Sequence, residues 1–164
     1  MNRKSIHIVG NSNFLKDSVK NRISERMIHT ITDEESSNFT ICFQLGDVLE
    51  TKISNPCILI RPWNENIIPF NIENCIELHL KDILSINQDG DWGPSDIFEW
   101  ITALNSSTSS ELENYPVRHW TPVKDFISLI ETLIELPEIP TLVTTVCGRR
   151  PWIANDVFSE LRML

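Results

Sequence analysis

The chain has 164 residues and a mass of 18.9 kDa, enough for one domain with a sizeable core, since about 150 residues bury roughly 70% of the surface an unfolded chain exposes. Its 41% apolar and 23% charged residues exclude a disordered tail, and no uncharged stretch exceeds 11 residues, too short for a membrane-spanning helix of about 20 apolar residues. The net charge of −9 repels nucleic-acid phosphates unless positive charge is concentrated somewhere, and a Met-Asn-Arg-Lys-Ser start with no cleavable apolar segment makes the cytoplasm the expected location.

In chain order, Ser5-Ile-His-Ile-Val-Gly10 is a short β-branched strand closed by glycine. Asn11-Ser12-Asn13 follows as a tight turn, and Leu15, Val19 and Ile23 recur at helical spacing, so the opening predicts strand, turn, helix. Ile28 to Asp33 predicts a second strand ending in an acid, and Phe39 to Leu45 a third, closed by Gly46-Asp47. Cys57-Ile-Leu-Ile-Arg61, stopped by Pro62, predicts a fourth whose near-continuous apolar character suits a parallel strand buried on both faces. Past Glu65 the chain runs through Cys75-Ile-Glu-Leu-His-Leu80 to the turn Asp89-Gly-Asp-Trp-Gly-Pro94, which launches a helix with Ile97, Phe98, Ile101 and Leu104 on one face. The serine-rich run Asn105 to Ser110 predicts a loop. The clearest helix follows Thr121, expected to cap it with its hydroxyl, and carries Val123, Phe126, Ile127, Ile130, Leu133 and Ile134 as an apolar stripe until Pro137. Ile139 to Cys147 predicts a last strand closed by Gly148, and Asn155 opens a final amphipathic segment through Phe158 and Leu161. Strands alternating with helices predict an α/β fold, an open and mostly parallel sheet flanked by helices.

Cysteine spacing suggests neither a zinc site nor a disulfide scaffold, and Cys42, Cys57 and Cys147 lie in apolar runs where a free thiol behaves as a small buried hydrophobe. Charge is unevenly placed. Residues 1–26 hold six basic and two acidic residues, and residues 83–148 hold two basic and ten acidic ones. The basic start either attracts a phosphate-bearing ligand or an acidic partner, or is a solvated helix face.

A strand that runs through Gly10 into a helix is where a doubly wound fold holds phosphate, because unpaired helix N–H groups and the helix dipole face that turn. Here Gly10, Asn11 and Asn13 are the candidate contacts, although side chains stand where a dinucleotide fingerprint needs its later glycines. Asp33, 23 residues after Gly10, stands where an acid takes a ribose hydroxyl, and is alternatively a turn or cap residue.

Several pieces, taken in order, resemble the extended short-chain dehydrogenase/reductases, the family of nucleotide-sugar epimerases and dehydratases. Gly10-Asn-Ser-Asn-Phe-Leu is similar to that family's Gly-x-x-Gly-Phe-Ile-Gly turn, and Ile58-Leu-Ile-Arg-Pro-Trp-Asn64 to its Arg-Pro-x-Asn segment. Val117-Arg-His-Trp-Thr-Pro-Val-Lys-Asp125 is similar to its Arg-Asp-Trp-x-x-Val-x-Asp stretch, and Val143-Thr-Thr-Val-Cys-Gly-Arg-Arg-Pro-Trp152 to its closing Asn-Val-x-x-Gly-x-x-x-Ser strand. The resemblance implies a Rossmann-like sheet with a small sugar-binding-like C-terminal portion, within one compact domain over 1–164. Residues 1–65 correspond to the nucleotide-binding half and 66–164 to the substrate half. It also implies that Asn64 and Arg118 contact a nucleotide diphosphate, work that suits a guanidinium fork. Alternatively Asn64 caps a turn after Pro62, and Arg118 pairs with Glu111 or Glu113.

The family's redox step uses a Tyr-x-x-x-Lys pair, in which a lysine lowers the pKa of a proton-exchanging tyrosine. The single tyrosine, Tyr115, is followed at the fourth position by His119, and only a short stretch separates the third strand from Arg61-Pro62, where the family carries its catalytic helices. The expected protein is therefore a non-redox relative that binds a nucleotide or nucleotide sugar. It has no catalytic residue, no metal and no required cofactor, NAD(P) being a weak candidate. The other expectation is an assembly module that forms a homo-oligomer or docks on an enzyme, with neither nucleic acid nor membrane as partner. The chain stops at Leu164 inside an apolar helical pattern, which leaves room for further residues in a longer protein.

Overall fold

The computed structural model describes residues 3–49, 52–53, 56–84, 92 and 117–161. The helix expected over Ile97 to Leu104, the serine loop, Tyr115, Glu111 and Glu113 lie outside them. The strands are β1 (Ser5–Gly10), β2 (Thr30–Ile31), β3 (Phe39–Phe43), β4 (Cys57–Pro62), β5 (Cys75–Leu80), β6 (Ile83–Leu84), β7 (Thr121–Pro122) and β8 (Leu142–Val146). The helices are α1 (Phe14–Arg26), α2 (Val123–Ile134) and α3 (Ala154–Leu161). Six strands form one all-parallel sheet in the order β2-β1-β3-β4-β5-β8, with β6 and β7 as a small parallel pair beside it. This is the open, parallel α/β architecture expected from the strand and helix alternation.

β3 is buried along its whole length and β4 over Cys57 to Arg61, as near-continuous apolar strands in the middle of a parallel sheet must be. On one face Ile6, Ile41, Phe43, Ile58, Ile60, Ile76 and Leu78 pack against Leu15, Val19 and Ile23 of α1 and Phe126, Ile130 and Ile134 of α2. On the other, Cys42, Cys57, Leu59 and Cys75 are covered by Leu49, Ile53, Phe70 and Ile72 from irregular chain. The 63–74 connection between β4 and β5 contains no helix.

α1 starts at Asn13, whose Oδ1 accepts from Lys16 N at 2.8 Å, and ends at Met27 in the left-handed region at φ 54°. Three of the six basic residues at the start of the chain, Lys4, Arg22 and Arg26, meet α2 or its end. Arg22 Nε and Arg26 Nε donate to Glu131 at 3.0 and 2.9 Å. Lys4 Nζ donates to Ile134 O and Leu136 O, the carbonyls left open where α2 ends.

Several expectations are corrected. The second strand shrinks to Thr30–Ile31, because after Thr32 N bonds Ile6 O the chain turns through Asp33 to Ser36. The last strand is regular only over Leu142–Val146. Thr121 does not cap α2: its backbone is drawn into the β6–β7 pair, with its N–H donating to Asp82 O at 2.8 Å, and Pro122 occupies the cap position. Cys147 is exposed, lying past the end of the edge strand β8, whereas Cys75, within the covered β5, is buried with Cys42 and Cys57.

Candidate functional site

Parallel open sheets bind ligands at the carboxyl ends of their strands, in the crevice where the winding reverses. Here β1 leads outward to β2 at one edge and β3 begins the run toward β8, so the switch point falls between β1 and β3. Gly10 stands there at φ +90°, and a Cβ on it would lie 1.9 Å from Phe43 O, so only glycine lets β1 turn this close to β3.

Asparagine side chains stitch the turn that follows. Asn11 N donates to Phe43 O at 2.8 Å, and Asn11 Oδ1 accepts from Leu45 N at 3.0 Å, bridging the switch point. Asn13, 6% exposed, caps α1 and donates through Nδ2 to Asn11 O at 2.9 Å. Lys16 Nζ folds back to Gly10 O at 2.8 Å, which uses one of its three ammonium protons. Asn11 and Asn13 thus hold the loop through their own side-chain amides. Toward an incoming anion the turn offers the Lys16 ammonium and the exposed Ser12, beside the positive end of α1.

The other predicted residues are spread along this edge or away from it. Asn64, exposed two positions past β4, accepts from Asn66 N at 2.9 Å and Ile67 N at 3.3 Å, which is the turn-capping geometry. Arg118 sits beyond β5 and pairs through Nη1 with Asp82 Oδ1 at 3.2 Å, while Asp82 Oδ2 accepts from His119 N at 3.0 Å. β3 and β4 separate β1 from β5, so at about 4.8 Å per strand the Gly10 turn and the Asp82–Arg118 pair stand roughly 15 Å apart. A ligand touching both has to lie along the edge. Asp33 is not part of this line: β2 ends opposite Ile6, four positions below Gly10 on β1. Its carboxylate accepts from Ser36 Oγ at 2.7 Å and from Ser36 N, and these hydrogen bonds hold its pKa below the usual carboxylate value.

A cluster that the sequence reading passed over lies under the loop-covered face. Arg61, 1% exposed, donates through Nη1 to Glu77 Oε1 at 3.0 Å and Ile68 O at 2.7 Å, and through Nη2 to Asp47 Oδ1 at 2.7 Å. Glu77 Oε2 accepts from Phe70 N at 2.9 Å, and His79 Nε2 lies 2.8 Å from Glu77 Oε1. The guanidinium also stacks on Phe70, 4.3 Å from the ring centroid. Its signal was the alternation Glu77-Leu-His79, which sets two polar groups on one face of an otherwise apolar strand. Since its donors go to both connecting loops, Arg61 acts as a clasp that fixes them on the sheet.

A cleft of about 340 Å³ between the ends of α1 and α2, lined by Arg26, His29, Glu131 and Glu135, and a shallow one of about 770 Å³ along Leu136 to Pro140 both lie away from the carboxyl edge. Among the described residues no helix is long and apolar enough to cross a membrane.

Sheet, switch point and flanking helices together define an α/β protein of the open, Rossmann-like class. No family model, curated protein or solved structure matches the chain.

Proposed function

We propose that this chain is a shortened relative of the nucleotide-sugar epimerases and dehydratases that binds a nucleotide or nucleotide sugar in the cytoplasm without redox chemistry. The observation that carries the reading is the β1/β3 switch point, where Gly10 ends β1, α1 begins, and Lys16 stands beside the turn. Strand order supports it further. The order β2-β1-β3-β4-β5-β8 is the common 2-1-3-4-5 order of parallel α/β sheets with one strand added, an order whose ligand lies at the β1/β3 switch point. The one tyrosine, Tyr115, has His119 and not a lysine four positions on, so the Tyr-x-x-x-Lys pair that exchanges the substrate proton is incomplete in this sequence.

In this reading the diphosphate lies over the Gly10–Asn13 turn, held by the α1 N-terminus and Lys16. The far end of the ligand runs along the edge toward Asn64 and Arg118. Calorimetric titration with UDP- and TDP-sugars and with NAD(P) tests it. Saturable binding of a nucleotide sugar, weakened about tenfold or more by Lys16→Ala through loss of a charged contact worth ~1.5–3 kcal/mol, is the expected result. Turnover of NAD(P) with a substrate, or no binding of any of these ligands, overturns it. A second reading, an assembly module that forms a homo-oligomer or docks on an enzyme, is favoured by one observation: β8 is an edge strand with no strand on its outer side among the described residues.

A further inference from the structure

The sheet has two edges of unequal character. At one, β2 is two residues long. At the other, β8 presents five residues, paired among the described residues only with β5. Exposed edges are normally blunted by charge, proline, a bulge or shortness, yet residues 139–148 carry no charge at all and Leu142–Val146 contains no proline. Leu142 is 45% exposed and Thr144 and Thr145 are exposed beside it. An unguarded strand of β-branched residues is a template for pairing with another strand.

Which backbone groups face outward follows from the β5 ladder. Lys81 N donates to Val146 O at 2.9 Å, so Val146, and with it Thr144 and Leu142, turn their N–H and C=O groups toward β5. Val143 and Thr145 turn theirs away from the sheet. An antiparallel partner of the same sequence centred on Thr144 matches this phase. Val143 and Thr145 of each copy then form the hydrogen-bonded pairs with Thr145 and Val143 of the other, and Thr144 meets its own mate as a close, non-hydrogen-bonded pair. This register overlaps all five strand residues. It also sets Leu142 of each copy against Val146 of the other on the α1/α2 side, and Thr opposite Thr on the axis, both favourable cross-strand pairs.

Charge beyond the strand's two ends suits an antiparallel partner. Glu138 stands six positions before Thr144 and Arg150 six positions after it, both exposed. Both stand in bends outside the regular strand, so antiparallel pairing brings the acidic end of each copy toward the basic end of the other. Within its own chain Arg150 meets Glu160 at 3.0 Å and stacks on Trp152.

We propose that β8 is a self-pairing edge, by which two copies join antiparallel about a two-fold axis at Thr144 and merge their sheets into one. The partner is a second copy of this chain, and the inference rests on the assembly reading, not on the ligand reading. Light scattering on the eluting chain, up to about 100 µM, where a micromolar Kd fills the complex, should give twice the 18.9 kDa chain mass. Thr144→Lys, which sets like charges face to face on the axis, should weaken association at least tenfold. Glu138→Arg and Arg150→Glu should each weaken it, and the double reversal should restore it. Thr144→Cys in a Cys147→Ser background should cross-link under mild oxidation, because Cα atoms about 4.5 Å apart lie within disulfide reach. This readout holds even if the lysine variant fails to fold. A chain that stays monomeric throughout overturns both the inference and the homo-oligomer. A dimer indifferent to Thr144→Lys that also fails to cross-link at position 144 overturns the β8 register and leaves self-assembly standing.

Discussion

Replacing Arg61 by methionine keeps most of its volume and removes the charge that the loop-covered face is organised around. The Asp47 contact contributes least, ~0–1 kcal/mol, because that carboxylate is 75% exposed and rehydrates when released. Ile68 O loses its donor, and an acceptor left without one costs about 1–3 kcal/mol if water does not reach it. The main loss is at Glu77, 3% exposed, which keeps the Phe70 N–H and His79 but loses its cation. Breaking a buried ion pair from one side costs about 3–5 kcal/mol. Some of these losses overlap, so the expected total is about 4 kcal/mol, out of a stability of roughly 5–15 kcal/mol for a domain. Urea unfolding followed by tryptophan fluorescence is the assay. With an m-value near 2 kcal/mol/M the midpoint should fall by about 2 M. Arg61→Met with Glu77→Gln should recover about half of the loss, since no uncompensated charge then remains. A single variant costing under about 1 kcal/mol, or a double variant whose cost is the sum of the two singles, refutes the clasp.

Other expected outcomes follow from single features. Gly10→Ala should destabilise by at least about 3 kcal/mol, because positive φ and a backbone clash act together; thermal unfolding measures it, and an unchanged Tm contradicts the close β1–β3 approach. Lys4→Met should cost about 1 kcal/mol by uncovering the end of α2, read as faster amide exchange in its last turn. Burial pushes the Cys42 thiol up to about 11, and a hydrogen bond with Cys75, together with burial, raises Cys57 too, so Ellman's reagent at pH 8 should titrate Cys147 alone in the native chain and all four cysteines in guanidinium. Asp33 is held low by Ser36, so the folded state favours its charged form. Its contribution is therefore present above the unfolded carboxylate pKa and is lost as pH falls through the folded value. By NMR, Ser36→Ala should move the Asp33 midpoint upward.

The sheet and its helices were legible where burial alone decides the pattern. Leu15, Val19 and Ile23 announced α1, Phe126, Ile130 and Ile134 announced α2, and the continuous run Cys57 to Ile60 announced a central strand. What was not legible depends on partners distant in sequence. Thr121 reads as a helix cap until Asp82 claims its N–H, and Arg118 meets Asp82, 36 positions away, a partner that spacing along the chain does not name. The excess of positive charge in residues 1–26 reads as a ligand face until Glu131 and the end of α2 take up Arg22, Arg26 and Lys4. At the candidate site Gly10 and the turn were visible in the sequence. That Asn11 and Asn13 build the loop with their own amides depends on how near Leu45 and Lys16 come, which spacing does not encode.

Because Lys4, in the chain just before β1, reaches carbonyls at Ile134 and Leu136, the first and the late elements close on each other. During synthesis β1, α1 and the central strands emerge well before α2, and until it arrives the face bearing Ile58, Ile60 and Ile76 stays partly uncovered. At about 5–20 residues per second that interval lasts several seconds, during which a nascent chain exposes parallel, β-branched strands. The late α2 is thus the element whose arrival separates productive closure from capture by chaperones, and a ribosome stalled before residue 137 should hold a chain that proteases cut readily.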